Sequence, residues 1–230
     1  MPQVYWMLLL CFLTGHLTDG YSQGSTPPAS AYAQHLYQKA TSTSASYYNG
    51  KEYTIQEFRP QGHQFFESMD WLSASLSYDG IRYDNLPLLY DINRDLFILR
   101  NHDGLHRVIP DQSLLENVTI GTHTFVRIRQ GLKPGFYERL YDGKTKIFCK
   151  RTKDRTEDLS QQRVLIIYTP HDYYYLLKDG QYIPVNSKKS ILTALSDRKK
   201  ELRKYARALN FREDRENAIR NVVAYYDQIK

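Results

Sequence analysis

WLSASLSYDGIRYDNLPLLYDINRDLFILR, residues 71–100, decides how the rest of the chain is read. From Trp71 to Tyr78 the side chains alternate: Trp71, Ser73, Ser75 and Ser77 face one way, and Leu72, Ala74, Leu76 and Tyr78 the other. A period of two marks a strand with one buried face. Asp79-Gly80 then supplies the pair that a type I′ hairpin turn requires. Leu86–Tyr90 and Leu96–Leu99 are apolar runs of strand length bounded by Asn, Asp or Arg. Pro87 has no N–H for a ladder, which predicts that its strand begins there or lies at an edge.

The same punctuation recurs at Asn49-Gly50, Asp103-Gly104, Asp142-Gly143 and Asp179-Gly180. Unequal spacing excludes a repeat array, so the pattern predicts a run of hairpins. Further strands are expected at 51–58, 105–109, 117–120, 124–129, 135–141, 144–152, 163–168, 173–178 and 181–185. Lys153 to Gln162 (KDRTEDLSQQ) is polar throughout and reads as a long exposed loop.

From Asn186 the period changes to 3.6. Ser187 can cap a helix carrying Ile191, Leu192 and Leu195. A second helix is expected from Asp197 to Leu209, with Leu202, Tyr205, Ala206 and Leu209 on its inner face. Asn210 and Glu213 form a capping-box pair for a third, with Ala218, Ile219, Val222, Val223, Tyr226 and Ile229 inside. The predicted class is α+β: mainly an antiparallel β-meander (a curved sheet, barrel or sandwich) with a short C-terminal helical unit. The expected divisions are 1–22, a signal peptide; 23–45, a flexible segment with a possible short helix at 31–40; 46–186, the β domain; and 187–230, basic helices packed on it.

The leader rests on Trp6–Leu13 (WMLLLCFL), too short an apolar run to span a bilayer, followed by small residues near Gly20 and Ser22. Cleavage before Gln23 would leave Cys149 as the last cysteine, with no intrachain disulfide and no assignable catalytic partner. No later segment is apolar enough to span a membrane. The expected location is periplasmic or extracellular. The chain's 20 tyrosines are expected mostly on half-exposed strand faces.

Three blocks carry a resemblance: GHQFFESMDWLSASLSYDGIRYDNLPLLYDINRDLF, GFYERLYDGKTKIFCKRTK and KKSILTALSDRKKELRKYARALNFREDRENAIRNVVAYYDQI. In their order and spacing they resemble an uncharacterised family of exported proteins widespread in Bacteroidetes, over roughly residues 45–230. Ser73 stands where that pattern has Gly, and the residues before Trp6 lack its usual Lys. The resemblance implies export and a shared fold, and brings no activity.

Charge is distributed unevenly. Residues 186–230 hold twelve Lys/Arg against six Asp/Glu, whereas 23–185 hold nineteen against eighteen. The excess concentrates at Arg198, Lys199, Lys200, Arg203, Lys204 and Arg207, of which Lys199, Arg203 and Arg207 with Lys200 and Lys204 are spaced to line one side of the second helix. Such a side is either a solvated face or a surface for an anionic partner. Nucleic acid is not expected of an exported chain without a binding module.

Two other constellations compete. Trp71, Tyr78, Tyr83, Tyr90 and Phe97 could line a concave sheet and hold an apolar, lipid-like ligand. Asp79, Asp84, Asp91 and Asp95 could furnish a hydrolase with paired carboxylates, although each stands where a turn wants an Asp. His102 and His106 flank one turn and give two ligands where zinc needs three or four. No catalytic residue, metal or cofactor is assigned. The preferred reading is a non-enzymatic envelope accessory or binding protein that uses the basic helices.

Overall fold

The structure is a computed structural model that describes residues 33, 46–54, 60–160 and 164–229. The chain divides into Met1–Ala40 and Thr41–Lys230. The expected leader lies outside the described residues, as does the 31–40 helix except for Ala33, a helical position. All that follows concerns the second unit.

Eleven strands form one antiparallel sheet that does not close. They are β1 (Lys51–Glu52), β2 (Leu72–Tyr78), β3 (Ile81–Asp91), β4 (Leu96–Arg100), β5 (Arg107–Ile109), β6 (Leu115–Ile120), β7 (His123–Ile128), β8 (Gly135–Asp142), β9 (Lys146–Asp158), β10 (Leu165–Lys178) and β11 (Gln181–Pro184). Their order is β1-β5-β4-β3-β2-β6-β7-β8-β9-β10-β11. Two meanders, β2 to β5 and β6 to β11, are thus joined where β6 pairs with β2. The α+β class with a C-terminal helical unit holds.

The 71–100 stretch folds nearly as read. Asp79 and Gly80 both take positive φ, 50° and 75°, and link β2 to β3. Asp179 and Gly180 repeat this between β10 and β11, at 50° and 76°. Asn49-Gly50 does not make a hairpin: β1 pairs with β5, distant in sequence. Glycine is needed at 50 because a Cβ there would collide with the carbonyl of Ile109.

Pro87 departs from expectation, lying inside a central strand opposite Ser73 of β2. The β4 ladder reaches only from Leu88 to Asp91, so the missing N–H at 87 removes nothing from it. The predicted loop 153–162 is also corrected. β9 runs on to Asp158 and pairs residue by residue with an unbroken β10, so the two strands expected at 163–168 and 173–178 are one. Asp154, Arg155, Thr156 and Glu157 are all exposed, so alternation of polarity, the usual strand signal, is missing there.

Between β5 and β6 a 3₁₀ turn (Gln112–Leu114) uses Gln112 as a substitute strand. Its side chain accepts from Phe97 N at 2.8 Å and donates to Phe97 O at 3.1 Å, satisfying backbone groups that the β5 ladder does not reach.

Two large cores and two smaller clusters lie against this sheet. The first gathers Tyr78, Tyr83, Leu88, Tyr90, Phe97, Phe125 and Phe136, with Phe66 inserted from the segment before β2. Tyr90 stacks on Phe97 at 4.1 Å, and Phe125 meets both rings edge-on. The tyrosines expected on half-exposed faces are therefore largely corrected: Tyr47, Tyr53, Tyr78, Tyr83, Tyr90, Tyr137, Tyr168, Tyr174 and Tyr226 are buried. Burial is tolerated where each hydroxyl has an outlet: Tyr90 donates to Asp95 at 2.6 Å and Tyr53 to Asp91 at 2.7 Å.

The second core packs β8 to β11 under α1 (Lys188–Ala194), α2 (Lys199–Tyr205) and α3 (Arg215–Ile229). Ser187 and Ser190 form the predicted cap of α1. Asn210 and Glu213 do bond each other, but they close a turn upstream. α3 starts later, where Asp214 Oδ1 accepts from Asn217 N.

Candidate functional site

α2 is held rigidly from beneath. Leu202 and Ala206 are fully buried in the second core. Lys188 of α1 donates to the carbonyl of Ala206 at 2.6 Å, satisfying an acceptor at the helix C-terminus. In the 3₁₀ turn Ser196–Arg198, which leads into α2, Asp197 receives Lys178 Nζ at 2.8 Å and Tyr226 Oη at 2.7 Å. Those bonds hold the Asp197 carboxyl below the usual carboxylate range despite the opposing effect of burial.

The other side of α2 is open. Lys199, Lys200, Arg203, Lys204 and Arg207 are exposed and together line a cleft of about 570 Å³. Arg198 is exposed too but does not line it. Among the described residues none of these side chains has an ion pair or a hydrogen bond. Several cations nearer the core are instead paired. Lys150 is bonded to Asp95, Arg151 to three carboxylates, Lys178 to Asp197 and Lys188 to a carbonyl. Asp197 is engaged by Lys178 and Tyr226, and Glu201, exposed on α2 itself, stands about 60° of helix arc beyond Lys204. The helix therefore presents concentrated positive charge that no ion pair or side-chain hydrogen bond among the described residues offsets.

The second helix is shorter than the expected 197–209. It ends at Tyr205, and Arg207 continues the face through a closing turn in which its N–H bonds Lys204 O at 3.3 Å. Tyr205, expected inside, instead stacks outside on Tyr225 at 4.3 Å.

The aromatic set does not come together as one lining. Tyr78, Tyr83, Tyr90 and Phe97 belong to the first core, where Tyr90 stacks on Phe97 and Phe66, Phe125 and Phe136 surround the pair. Trp71 packs in a different cluster with Tyr53, Phe65, Leu89 and Ile98.

The four carboxylates have structural partners. Asp79 makes the β2–β3 turn, and Asp84 pairs with Arg82 on the surface. Asp91 and Asp95 flank the β3–β4 turn, and Asp95 reaches β8 and β9. Asp91 accepts from Tyr53 and from the N–H groups of Asn93 and Arg94, and burial raises its carboxyl pKa. Asp95 joins Tyr90 to Lys150 and accepts from Phe136 N at 3.2 Å. His102 and His106 do not meet: His106 bonds Asp103 at 2.6 Å, while His102 lies edge-on to Tyr48.

One polar cluster had no sequence signal. His123 lies 2.5 Å from Glu138 and 3.2 Å from Glu67, beside a cleft of about 310 Å³. Glu138 accepts from Arg151 at 2.6 Å, and Arg151 also reaches Asp172 and Glu216, at 2.8 and 2.6 Å. These residues come from six separate parts of the chain, so no local motif records them. Cys149, Asp172 and Glu216 approach one another closely, but the Arg151 guanidinium already holds both carboxylates. Cys149 is fully buried in the second core, and that burial pushes its thiol pKa well up. The cluster joins the sheet to α3, with four carboxylates gathered around Arg151 and His123.

Among the described residues no helix is long and apolar enough to cross a membrane. No protein family, no curated protein and no solved structure matches this chain.

Proposed function

We propose that the protein is an exported, non-enzymatic accessory of the cell envelope that binds an anionic component through the exposed face of α2. The observation that carries this is the cleft lined by Lys199, Lys200, Arg203, Lys204 and Arg207, each without an ion pair or hydrogen bond among the described residues. Desolvated or paired cations serve the fold, whereas unpaired cations on a rigid support leave their field for a ligand. Export is supported by the Trp6–Leu13 run and the small residues after it.

Because those side chains hold no partner among the described residues, reversing them should leave the fold intact. The variant K199E/K200E/R203E/K204E should retain its circular dichroism and melting temperature, yet lose co-sedimentation with isolated envelope and with anionic vesicles. Wild-type binding should weaken steeply with added salt, since it is chiefly Coulombic. Unchanged sedimentation of the reversed variant would refute the reading.

A further inference from the structure

We infer that the α2 cleft is a site for clustered phosphate, a compact group carrying several phosphate charges, and not for a sparsely charged acidic polymer. The inference rests on the proposed anion-binding role of α2 and narrows its ligand.

The spacing argues for this. Four of the cations stand at positions i, i+1, i+4 and i+5 of α2, which spans about 7.5 Å of helix axis, and Arg207 follows in the closing turn. That is about one positive charge every 2–3 Å along the helix. A polysaccharide with one carboxylate per sugar or two would match few of these cations and leave the others facing each other. Each phosphate monoester brings close to two charges and three acceptor oxygens to one centre, so two neighbouring phosphates would neutralise most of the face.

Donor chemistry points the same way. Arg203 and Arg207 sit one turn apart and present paired guanidinium forks, which grip a tetrahedral oxyanion with two bonds each. Lys199, Lys200 and Lys204 surround them as mobile point charges. The cleft, about 570 Å³, is head-group-sized and within the range of small-ligand sites. The helix that carries it is anchored: Leu202 and Ala206 are buried on its other face, Lys188 bonds the carbonyl of Ala206, and Lys178 and Tyr226 bond Asp197 in the turn before it. Little ordering of the backbone is left for binding to impose. The phosphates could belong to a lipid head group or to a soluble oligophosphate, and the chemistry is shared.

The test titrates full-length protein with inorganic tripolyphosphate by calorimetry, with sulfate at matched ionic strength as the control. Alongside it runs sedimentation with vesicles of phosphatidic acid (a monoester) or phosphatidylglycerol (a diester) at equal surface charge. Tripolyphosphate should bind one to one and much more tightly than sulfate. R203K/R207K, which keeps the charge but loses the forks, should weaken it by about tenfold. Preference for phosphatidic acid vesicles, with tripolyphosphate competing, identifies a lipid source. Tripolyphosphate binding without that preference identifies a soluble one. If tripolyphosphate binds no better than sulfate and both vesicles bind alike, the phosphate site is refuted while the anion-binding role stands. If charge reversal leaves vesicle binding unchanged, both are refuted.

Discussion

The two cores share one sheet but are built by different means. The first is aromatic and lies among neighbouring hairpins, with Tyr90, Phe97, Phe125 and Phe136 ring to ring. The second is mainly aliphatic and joins parts of the chain far apart in sequence, such as Ile147 and Leu176 on strands to Leu202, Ile219 and Val222 on helices. β8 belongs to both: Phe136 faces the first, while Leu140 and Tyr141 pack against the second. The first core thus secures the platform on which the second is laid. Damage to the first should spread, and damage to the second should stay local.

Paired truncations test this. Phe97→Ala empties the centre of the aromatic core and should cost about 3–5 kcal/mol by denaturant unfolding. Amide exchange should then rise throughout both regions. Leu202→Ala should cost about 2–5 kcal/mol, with faster exchange confined to 188–229. Exchange spreading equally from both sites would show that the cores are a single cooperative unit.

The seam between them is sharper still. Arg151→Met strips the guanidinium from Glu138, which is only 4% exposed, and from Asp172 and Glu216. Leaving such charge unpaired should cost about 3 kcal/mol or more. Adding Glu138→Gln to that variant should restore part of the loss. No restoration would mean that packing, and not charge, sets the cost.

How legible these two regions were differs for a physical reason. Asp79-Gly80 and Asp179-Gly180 announced their hairpins because a two-residue turn is a local requirement. Asn49-Gly50 misled because Gly50 answers to the carbonyl of Ile109, a contact across the fold. Residues 153–158 hid their strand because both faces meet water. The α2 cations could be found from sequence alone, since an exposed charge needs no partner. The cluster of Glu67, His123, Glu138 and Arg151 could not, because its chemistry exists only after the two regions meet.

A smaller effect is expected where the β3–β4 turn reaches β8 and β9. Gly135 lets Asp95 and Lys150 lie directly over the backbone, and a Cβ there would collide with the Asp95 carboxylate. Gly135→Ala should cost about 1–3 kcal/mol through overpacking. Thermal melts measure it. A neutral result would mean that the 91–95 turn shifts freely and that its side-chain contacts contribute little.

Acid should act on the two regions with opposite sign, though gently. Burial raises the Asp91 carboxyl, against hydrogen bonds from Arg94 N, Tyr53 and Asn93 N and the nearby Arg94 charge. Its contribution is therefore most favourable below the unfolded value of about 3.9 and declines as pH rises through the folded one. Asp197 is held low by Lys178 and Tyr226 against the effect of burial. Its contribution is complete above about 3.9 and is lost as pH falls through the folded value. Lowering the pH through this range should favour the first region at Asp91 while loosening the anchor of α2. Asp197→Asn should flatten the acid limb of stability measured by denaturant melts, and Asp91→Asn should steepen it. Both variants shifting the limb in the same direction would show that acid acts through the net charge of the molecule, and the distinction between the two regions would fail on that point.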